Sequence, residues 1–160
     1  MNLRVKGRLA EMSKSNSSPI AKIPPRRKRE PLTRSQIMAR IRSKNTKPEV
    51  LTRSAVQALG VRFRNHVDDL PGKPDLANKT RKWAMFVHGC FWHSHADCRL
   101  ASSPKSNTRY WSEKLARNRS RDAEKIAALE ARGFRVLVVW ECDVRDGARL
   151  QRVLESFFAS

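Results

Sequence analysis

Residues 82–98 read KWAMFVHGCFWHSHADC, an apolar run that leads directly into a cluster of cysteine and histidine side chains. The run from Lys82 to His88 predicts a buried strand, and Gly89 marks its end. Counted from His88, two cysteines and three histidines fall within eleven residues. The strand therefore ends where a candidate metal-binding cluster begins.

A third cysteine joins this cluster from far along the chain, because Cys142 follows a second β-branched run at 135–140. Thiolates and imidazoles suit tetrahedral zinc, and four protein ligands leave no open position, so the predicted zinc is structural. The predicted Cys3His set is Cys90, His95, Cys98 and Cys142. The alternative interpretation is that the cysteines are small buried hydrophobes and the histidines are surface loop residues.

The flanking segments predict an α/β domain with a mixed central sheet flanked by helices. Thr46-Lys-Pro-Glu49 is a capping box that begins a helix, and Val61 and Phe63 alternate with basic residues as in a strand. The predicted elements are a helix from residue 33 with Ile37, Met38 and Ile41 at helical spacing, a helix at about 47–59, strands at 61–63, 75–77 and 82–88, a basic helix from Asn107 or Thr108 to about 131, a strand at 135–140 and a helix at about 147–158.

The charge of the chain predicts a polyanionic partner. It has 34 Lys and Arg against 15 Asp and Glu, a formal charge of +19. Residues 1–31 predict a disordered basic arm, and residues 32–160 predict one domain. The arm either contacts phosphates or is simply solvated, and the sequence leaves both open. The chain has neither a run of about 18 apolar residues nor the apolar centre of a signal peptide, so we expect a cytoplasmic protein that does not enter a membrane. A monomer is a separate expectation.

Three further side chains suit hydrolysis of a phosphodiester. His88 and His93 stand outside the zinc set, and a neutral imidazole accepts a proton from water near neutral pH. Asp75 follows a Gly-Lys-Pro turn, where its carboxylate would either hold Mg2+ or bond its own backbone. Glu49 is explained by its capping box alone.

Aromatic and basic residues suggest contact with duplex DNA. Phe91 and Trp92 are adjacent in a polar loop, where they would either wedge between base pairs or pack in the core. Trp111 would join such a wedge or anchor its helix. Five basic residues of this helix predict a phosphate-facing surface, namely Arg109, Lys114, Arg117, Arg119 and Arg121.

Four motifs occur in an order and spacing that resembles the Vsr-type DNA mismatch endonucleases, between about Thr33 and Val144. They are Leu70-Pro-Gly-Lys-Pro-Asp75, Phe86-Val-His-Gly-Cys-Phe-Trp-His93, Tyr110-Trp-Ser-Glu-Lys114 and Val138-Val-Trp-Glu-Cys142. The resemblance implies a restriction-endonuclease-like fold and magnesium-assisted nicking 5′ of the mispaired thymine in a T·G mismatch, which deamination of 5-methylcytosine creates. It also implies bacterial very short patch repair, and leaves open whether a MutL-type protein is a partner.

The resemblance also implies roles for individual residues. Asp75 and the backbone carbonyl of Val87 match the magnesium ligands, His93 the general base, His88 its companion and Glu49 an orienting acid. Cys90, His95, Cys98 and Cys142 match the structural zinc ligands; Phe91, Trp92 and Trp111 match the intercalating aromatics, and Met38 matches a residue that wedges from the opposite groove. This chain departs from the family in an extra residue between His95 and Cys98 and in its basic arm.

Two alternative functions fit the same residues. One is a nicking endonuclease with a different lesion or sequence target. The other is a zinc-stabilised DNA-binding module without activity. A pure binding module has no need of the Asp75 carboxylate beside two free imidazoles, and this feature favours an enzyme.

Overall fold

The structure is a computed structural model, and it describes residues 44–102 and 104–159. The predicted arm at 1–31, the predicted first helix and Met38 lie outside the described residues. The elements are α1 (Lys47–Ala58), β1 (Arg64–Asn65), β2 (Leu76–Asn78), β3 (Trp83–His88), a 3-10 turn (Arg99–Ala101), α2 (Thr108–Glu130), β4 (Arg135–Trp140), α3 (Glu141–Arg145) and α4 (Gly147–Ala159). No helix in these two ranges is long and apolar enough to cross a membrane.

The described strands form one mixed sheet in the order β1-β2-β3-β4. β2 is antiparallel to both β1 and β3, whereas β3 and β4 are parallel. The parallel pair needs a long connection, and α2 provides it. The predicted α/β class with a mixed sheet is confirmed.

Alternation along β3 divides the core into two layers. Trp83 and Met85 belong to a cluster with residues of α1 and α4, whereas Ala84 and Phe86 belong to a cluster with Leu129 of α2. Since successive side chains of a strand point to opposite faces, His88 lies on the same face of the sheet as Ala84 and Phe86. The period of the strand thus directs His88 toward α2.

The strand predicted at Val61 and Phe63 begins later along the chain in the structure. The ladder with β2 begins only at Arg64, which pairs with Ala77. Ahead of it, the Asn78 side chain donates to the Arg62 carbonyl at 2.8 Å, so a side chain takes the place of a ladder bond. Val61 and Phe63 instead pack against the cluster that contains Trp83.

The start of α2 differs from the predicted N-cap, and one short helix was not predicted. Asn107 occupies the N-cap position of α2 with a φ of 53°, and within the described residues its side chain makes no capping hydrogen bond. The short helix α3 was not predicted. It begins where the Asp143 carboxylate accepts from the Trp140 N–H at 3.2 Å.

The turn before Asp75 packs directly on α2. Gly72 has a φ of +73°, and a Cβ there would lie 2.8 Å from the side chain of Lys125. Only glycine meets both demands. This close approach fixes the turn that precedes Asp75 against the helix opposite His88.

Trp83 offers a test of the core layer formed by α4. Its ring makes edge contacts with Phe157 and Phe158 at 6.4 and 5.2 Å, and its buried N–H has no acceptor among the described residues. We expect Trp83→Ala to lower the free energy of unfolding by about 3–5 kcal/mol. Trp83→Phe keeps a ring and removes the unpaired N–H, so its loss should stay below about 1.5 kcal/mol. Urea denaturation measures both, and equal losses would contradict this account.

Candidate active site and metal centre

The candidate site lies at the carboxyl ends of β3 and β4. The parallel register pairs His88 with Trp140 as the last residues of the two strands. Cys90 and Cys142 each follow two residues later, one in the loop and one in α3. The register therefore brings together two cysteines that are far apart in sequence.

The predicted zinc ligands converge at this edge. One ligand atom from each of Cys90, His95, Cys98 and Cys142 lies within 4.8 Å of the others. His95 Nδ1 lies 3.6 Å from Cys90 Sγ and 3.3 Å from Cys142 Sγ. Tetrahedral zinc, with bonds of about 2.3 Å to sulfur and about 2.0 Å to nitrogen, spaces such atoms about 3.5 Å apart. The donor set and its spacing fit zinc, and the extra residue does not keep Cys98 out of the set.

The local backbone and the strand ends hold the ligand loop. The His95 N–H donates to the Cys90 carbonyl at 3.0 Å, and the His95 ring stacks on Trp140 at 4.0 Å and 2°. Burial raises the pKa of the Cys90 thiol to about 12. A metal ion that binds here must therefore displace a proton from this sulfur.

A second group joins the two remaining histidines to an acid of α2. The rings of His88 and His93 stack at 3.8 Å and 9°. His93 Nδ1 lies 2.5 Å from Asp122 Oδ2, and the Asp122 side chain is only 14% exposed. This contact assigns the ring proton to Nδ1 and leaves a lone pair on Nε2. The arrangement is that of a general base oriented by a carboxylate.

Burial controls the charge of the stacked pair. Burial above all, together with the adjacent His93, lowers the pKa of His88 from 6.5 to about 4. His88 is therefore neutral at pH 7. A proton accepted by His93 would face a neutral ring on one side and the Asp122 carboxylate on the other.

Asp122 was not identified from the sequence. It lies 29 residues from its partner and within a helix of mostly basic surface residues. The only signal was that Asp122 belongs to the helix predicted to follow the strand that ends at His88. The packing of α2 on that strand, which the sequence does not specify, brings the two together.

A third group surrounds the predicted magnesium-binding aspartate. One ligand atom from each of Glu49, His66 and Asp75 lies within 4.8 Å of the others. Asp75 Oδ2 accepts from the Val87 N–H at 2.8 Å, so this carboxylate bonds across the sheet and does more than close its own turn. The N–H and C=O of one strand residue point to the same edge, so the Val87 carbonyl faces the same side as Asp75. His66 was not singled out from the sequence.

Glu49 combines two roles in this group. Its carboxylate accepts from the Thr46 hydroxyl at 2.7 Å and from the Asn45 N–H at 2.8 Å. The Thr46 hydroxyl accepts from the Glu49 N–H at 3.5 Å, so Thr46 caps α1 as predicted, but the return bond of Glu49 goes to Asn45 and not to the Thr46 N–H of a full capping box. Burial raises the pKa of Asp75, and the Glu49 carboxylate raises it further, whereas the Val87 N–H lowers it. Two carboxylates that converge in a partly buried place favour a bound cation.

The predicted intercalating aromatics meet in one cluster beside these groups. The Phe91 ring lies 5.0 Å from Trp92 and 5.3 Å from Trp111, and Lys114 Nζ lies 5.4–5.7 Å from both tryptophan rings. Trp111 is buried, whereas Phe91 and Trp92 are half-buried. Gly89 admits the Trp92 ring, since a Cβ there would lie 3.2 Å from it. Four arginines of α2 are exposed on its surface, namely Arg109, Arg117, Arg119 and Arg121.

Comparison with known proteins identifies relatives of the chain. A family model described as DNA mismatch endonuclease Vsr matches residues 27–100. The type II nicking enzyme V.XorIIP of Xanthomonas oryzae pv. oryzae is 49% identical over 129 residues, which are 78% of this chain and 94% of that protein. The type II nicking enzyme V.NmeAIP of Neisseria meningitidis serogroup A is 43% identical over 125 residues, 76% of this chain and 89% of that protein. The DNA mismatch endonuclease Vsr of Escherichia coli K12 is 39% identical over 118 residues, 74% of this chain and 75% of that protein.

The buried histidine predicts how stability depends on pH. Because burial lowers the pKa of His88 from 6.5 to about 4, the unfolded chain takes up a proton in this window that the folded chain does not. Stability should fall as the pH falls through this window and then level off below it. The contribution of His88 is at most about 3 kcal/mol.

Urea unfolding of the parent and of His88→Gln across this pH window measures the effect. The variant should lose less stability on acidification than the parent. Protonation of the candidate zinc ligands is common to both proteins and cancels in the difference. Parallel pH curves would show that His88 is not the group responsible.

Proposed function

The chain belongs to the Vsr family of DNA mismatch endonucleases, and we propose that it nicks DNA 5′ of the mispaired thymine in a T·G mismatch by magnesium-assisted hydrolysis. Family membership makes the chain a nicking DNA endonuclease with a nuclease fold. The T·G target, and its origin in deaminated 5-methylcytosine, are what the resemblance to the Vsr-type endonucleases implies. The observation that carries the catalytic part is the short contact between His93 and Asp122 beside the Asp75 carboxylate.

His93 is the proposed general base. With the proton on Nδ1 held by Asp122, Nε2 accepts a proton from water. The water oxygen forms a bond to phosphorus, and the bond from phosphorus to the leaving sugar oxygen breaks. The leaving oxygen takes a proton from solvent water and departs as an alcohol, and His93 afterwards releases its proton to solvent. His88 supports this step because its neutral ring adds no second positive charge beside the protonated His93.

Asp75, the carbonyl of Val87 and Glu49 are the residues that would hold Mg2+. Hard oxygen donors of this kind suit that ion. When bound, Mg2+ supplies positive charge that stabilises the phosphate and the leaving oxygen. Glu49 also positions the site, because its carboxylate fixes the first turn of α1.

Recognition of the lesion is proposed for the aromatic cluster and the basic face of α2. Phe91 and Trp92 share the loop with His93, so aromatic groups that unstack a base step would stand close to the general base. Exposed arginines of α2 would contact phosphates, which sets position without reading sequence. Intercalation by Trp111 requires movement from its buried place, and insertion of Met38 concerns a residue outside the described ranges.

A structural zinc is proposed for the Cys3His set. When bound, Zn2+ links the loop to the end of β4 through the thiolates and the His95 ring. The loop carries Phe91, Trp92 and His93, so its order governs both base contact and catalysis.

A different lesion or sequence target is the second candidate. Two of the relatives are named type II nicking enzymes, and that name does not specify a mismatch. The remaining sequence-based predictions are a bacterial cytoplasmic monomer, a single domain at 32–160 and a MutL-type partner.

Nicking of a labelled duplex with one T·G mismatch tests the proposed activity. The parent should nick only the thymine strand, and only with Mg2+. Asp75→Ala and His93→Ala should lose activity by roughly 10²–10⁴-fold, and Asp122→Asn should lower kcat because the base is no longer oriented.

Glu124→Gln is the matched control for Asp122→Asn, because Glu124 is an exposed acid of the same helix. It should nick like the parent. A matched T·A duplex and a panel of other mismatches determine the target. Efficient nicking of another lesion with T·G untouched would favour the second candidate, and full activity of Asp122→Asn would reject the oriented base.

Zinc analysis tests the loop. The purified parent should hold about one zinc per chain, and Cys142→Ser should lose it together with thermal stability. His93→Ala is the control, since it removes a histidine of the same loop outside the Cys3His set and should keep its zinc. A parent protein without zinc would reject the proposed centre.

A further inference from the structure

We propose that His66 is a ligand of the catalytic divalent ion and that its imidazole makes this site bind Mn2+ more tightly than Mg2+. The proposal rests on the proposed function only in taking the Asp75 site as the catalytic metal site. It adds a nitrogen donor to a ligand set that otherwise consists of oxygen.

The strand register places His66 opposite Asp75. β1 pairs with β2 through Arg64 with Ala77 and Asn65 with Leu76. One step further, the His66 N–H donates to the Asp75 carbonyl at 3.0 Å. Residues directly opposite in antiparallel strands have neighbouring side chains. Two residues of the site are thus aligned by backbone hydrogen bonds.

The backbone and the ring of His66 are both held. Its φ of 47° lies in the left-handed region, where histidine, asparagine and aspartate are enriched among residues other than glycine. Asn45 Oδ1 lies 3.4 Å from His66 Nε2, and Arg53 donates to the same oxygen at 2.9 Å. Such a partner typically orients the ring of a metal-binding histidine.

His66 and the two carboxylates lie close enough to share one ion. A ring nitrogen of His66 lies within 4.8 Å of an oxygen of each carboxylate. In the described part of the chain, the hydrogen bond of the ring goes to Asn45 and not to Asp75 or Glu49. Ligands on opposite sides of an ion with bonds of about 2.1 Å stand about 4 Å apart. Within residues 44–102 and 104–159, each Glu49 oxygen accepts one hydrogen bond and keeps a lone pair for a cation.

Ligand chemistry then determines which metal is preferred. Mg2+ takes oxygen donors and gives up its waters reluctantly. Carboxylates accept Mn2+ as well as Mg2+, and Mn2+, as a transition ion, accepts an imidazole nitrogen more readily than Mg2+ does. The imidazole of His66 therefore increases the preference of this site for Mn2+ over Mg2+ beyond that of the two carboxylates alone.

Binding of Mn2+ alone to the zinc-loaded protein tests this without DNA. Electron spin-echo spectroscopy of bound Mn2+ should show coupling to an imidazole nitrogen, and Mg2+ should displace Mn2+ only at a large excess. His66→Asn, which keeps a residue tolerant of the left-handed backbone, should remove this coupling and weaken Mn2+ binding roughly tenfold or more. Its Mg2+ affinity should fall by much less than its Mn2+ affinity, because Mg2+ relies on the oxygen donors.

Asn45→Ala is the matched control, because it removes the partner of the ring and keeps the imidazole. It should retain the nitrogen coupling. Absence of coupling in the parent overturns the proposal whether or not the variant folds. Coupling that persists in a folded His66→Asn variant also overturns it. A parent that nicks T·G duplex with Mg2+ but shows no nitrogen coupling refutes only this inference. Nitrogen-coupled Mn2+ in a protein that does not nick refutes only the proposed function.

Discussion

The parallel pairing of β3 with β4 is the constraint on which the rest of the site depends. It sets His88 beside Trp140 at the ends of two strands that are far apart in sequence. From that point the chain on each side contributes a cysteine two residues later, and the His95 ring stacks on Trp140. A shift of the register by one residue would turn His88 to the other face of the sheet, away from α2. The convergence of the Cys3His set and the stacking of His88 on His93 would then both be lost.

Burial assigns different tasks to two adjacent histidines. His88 is buried at the end of β3, so its pKa falls to about 4 and its ring stays neutral. His93, in the loop, has a carboxylate partner in Asp122. A carboxylate stabilises an imidazolium, and a neutral neighbour does not oppose it. Under the proposed mechanism, the same residue type is a neutral support in one place and a proton acceptor in the other.

The sequence predicted most of the elements because their signals are local. The capping box at Thr46, the apolar runs of β3 and β4 and the amphipathic pattern of α4 each lie within one segment. The predicted strand at Val61 was wrong because a contact between Asn78 and Arg62 decides where the ladder begins. Asp122 and His66 were missed for a related reason. Each becomes part of a site only through packing or register between segments, and neither residue carries a distinctive motif.

The loop from Cys90 to Cys98 explains why the Cys3His set lies beside the proposed general base and the aromatic cluster. It holds nine residues, two of which, Ser94 and Asp97, have positive φ values of 51° and 52°. Fixing such a segment costs on the order of 10 kcal/mol in backbone entropy. Most of its side chains are half-buried or exposed, so apolar burial offsets little of this cost. Structural zinc in small domains contributes about 10–16 kcal/mol, which is enough to offset it. Under the proposed zinc centre, the same ligands order Phe91, Trp92 and His93. Loss of the zinc would therefore impair both base contact and proton transfer.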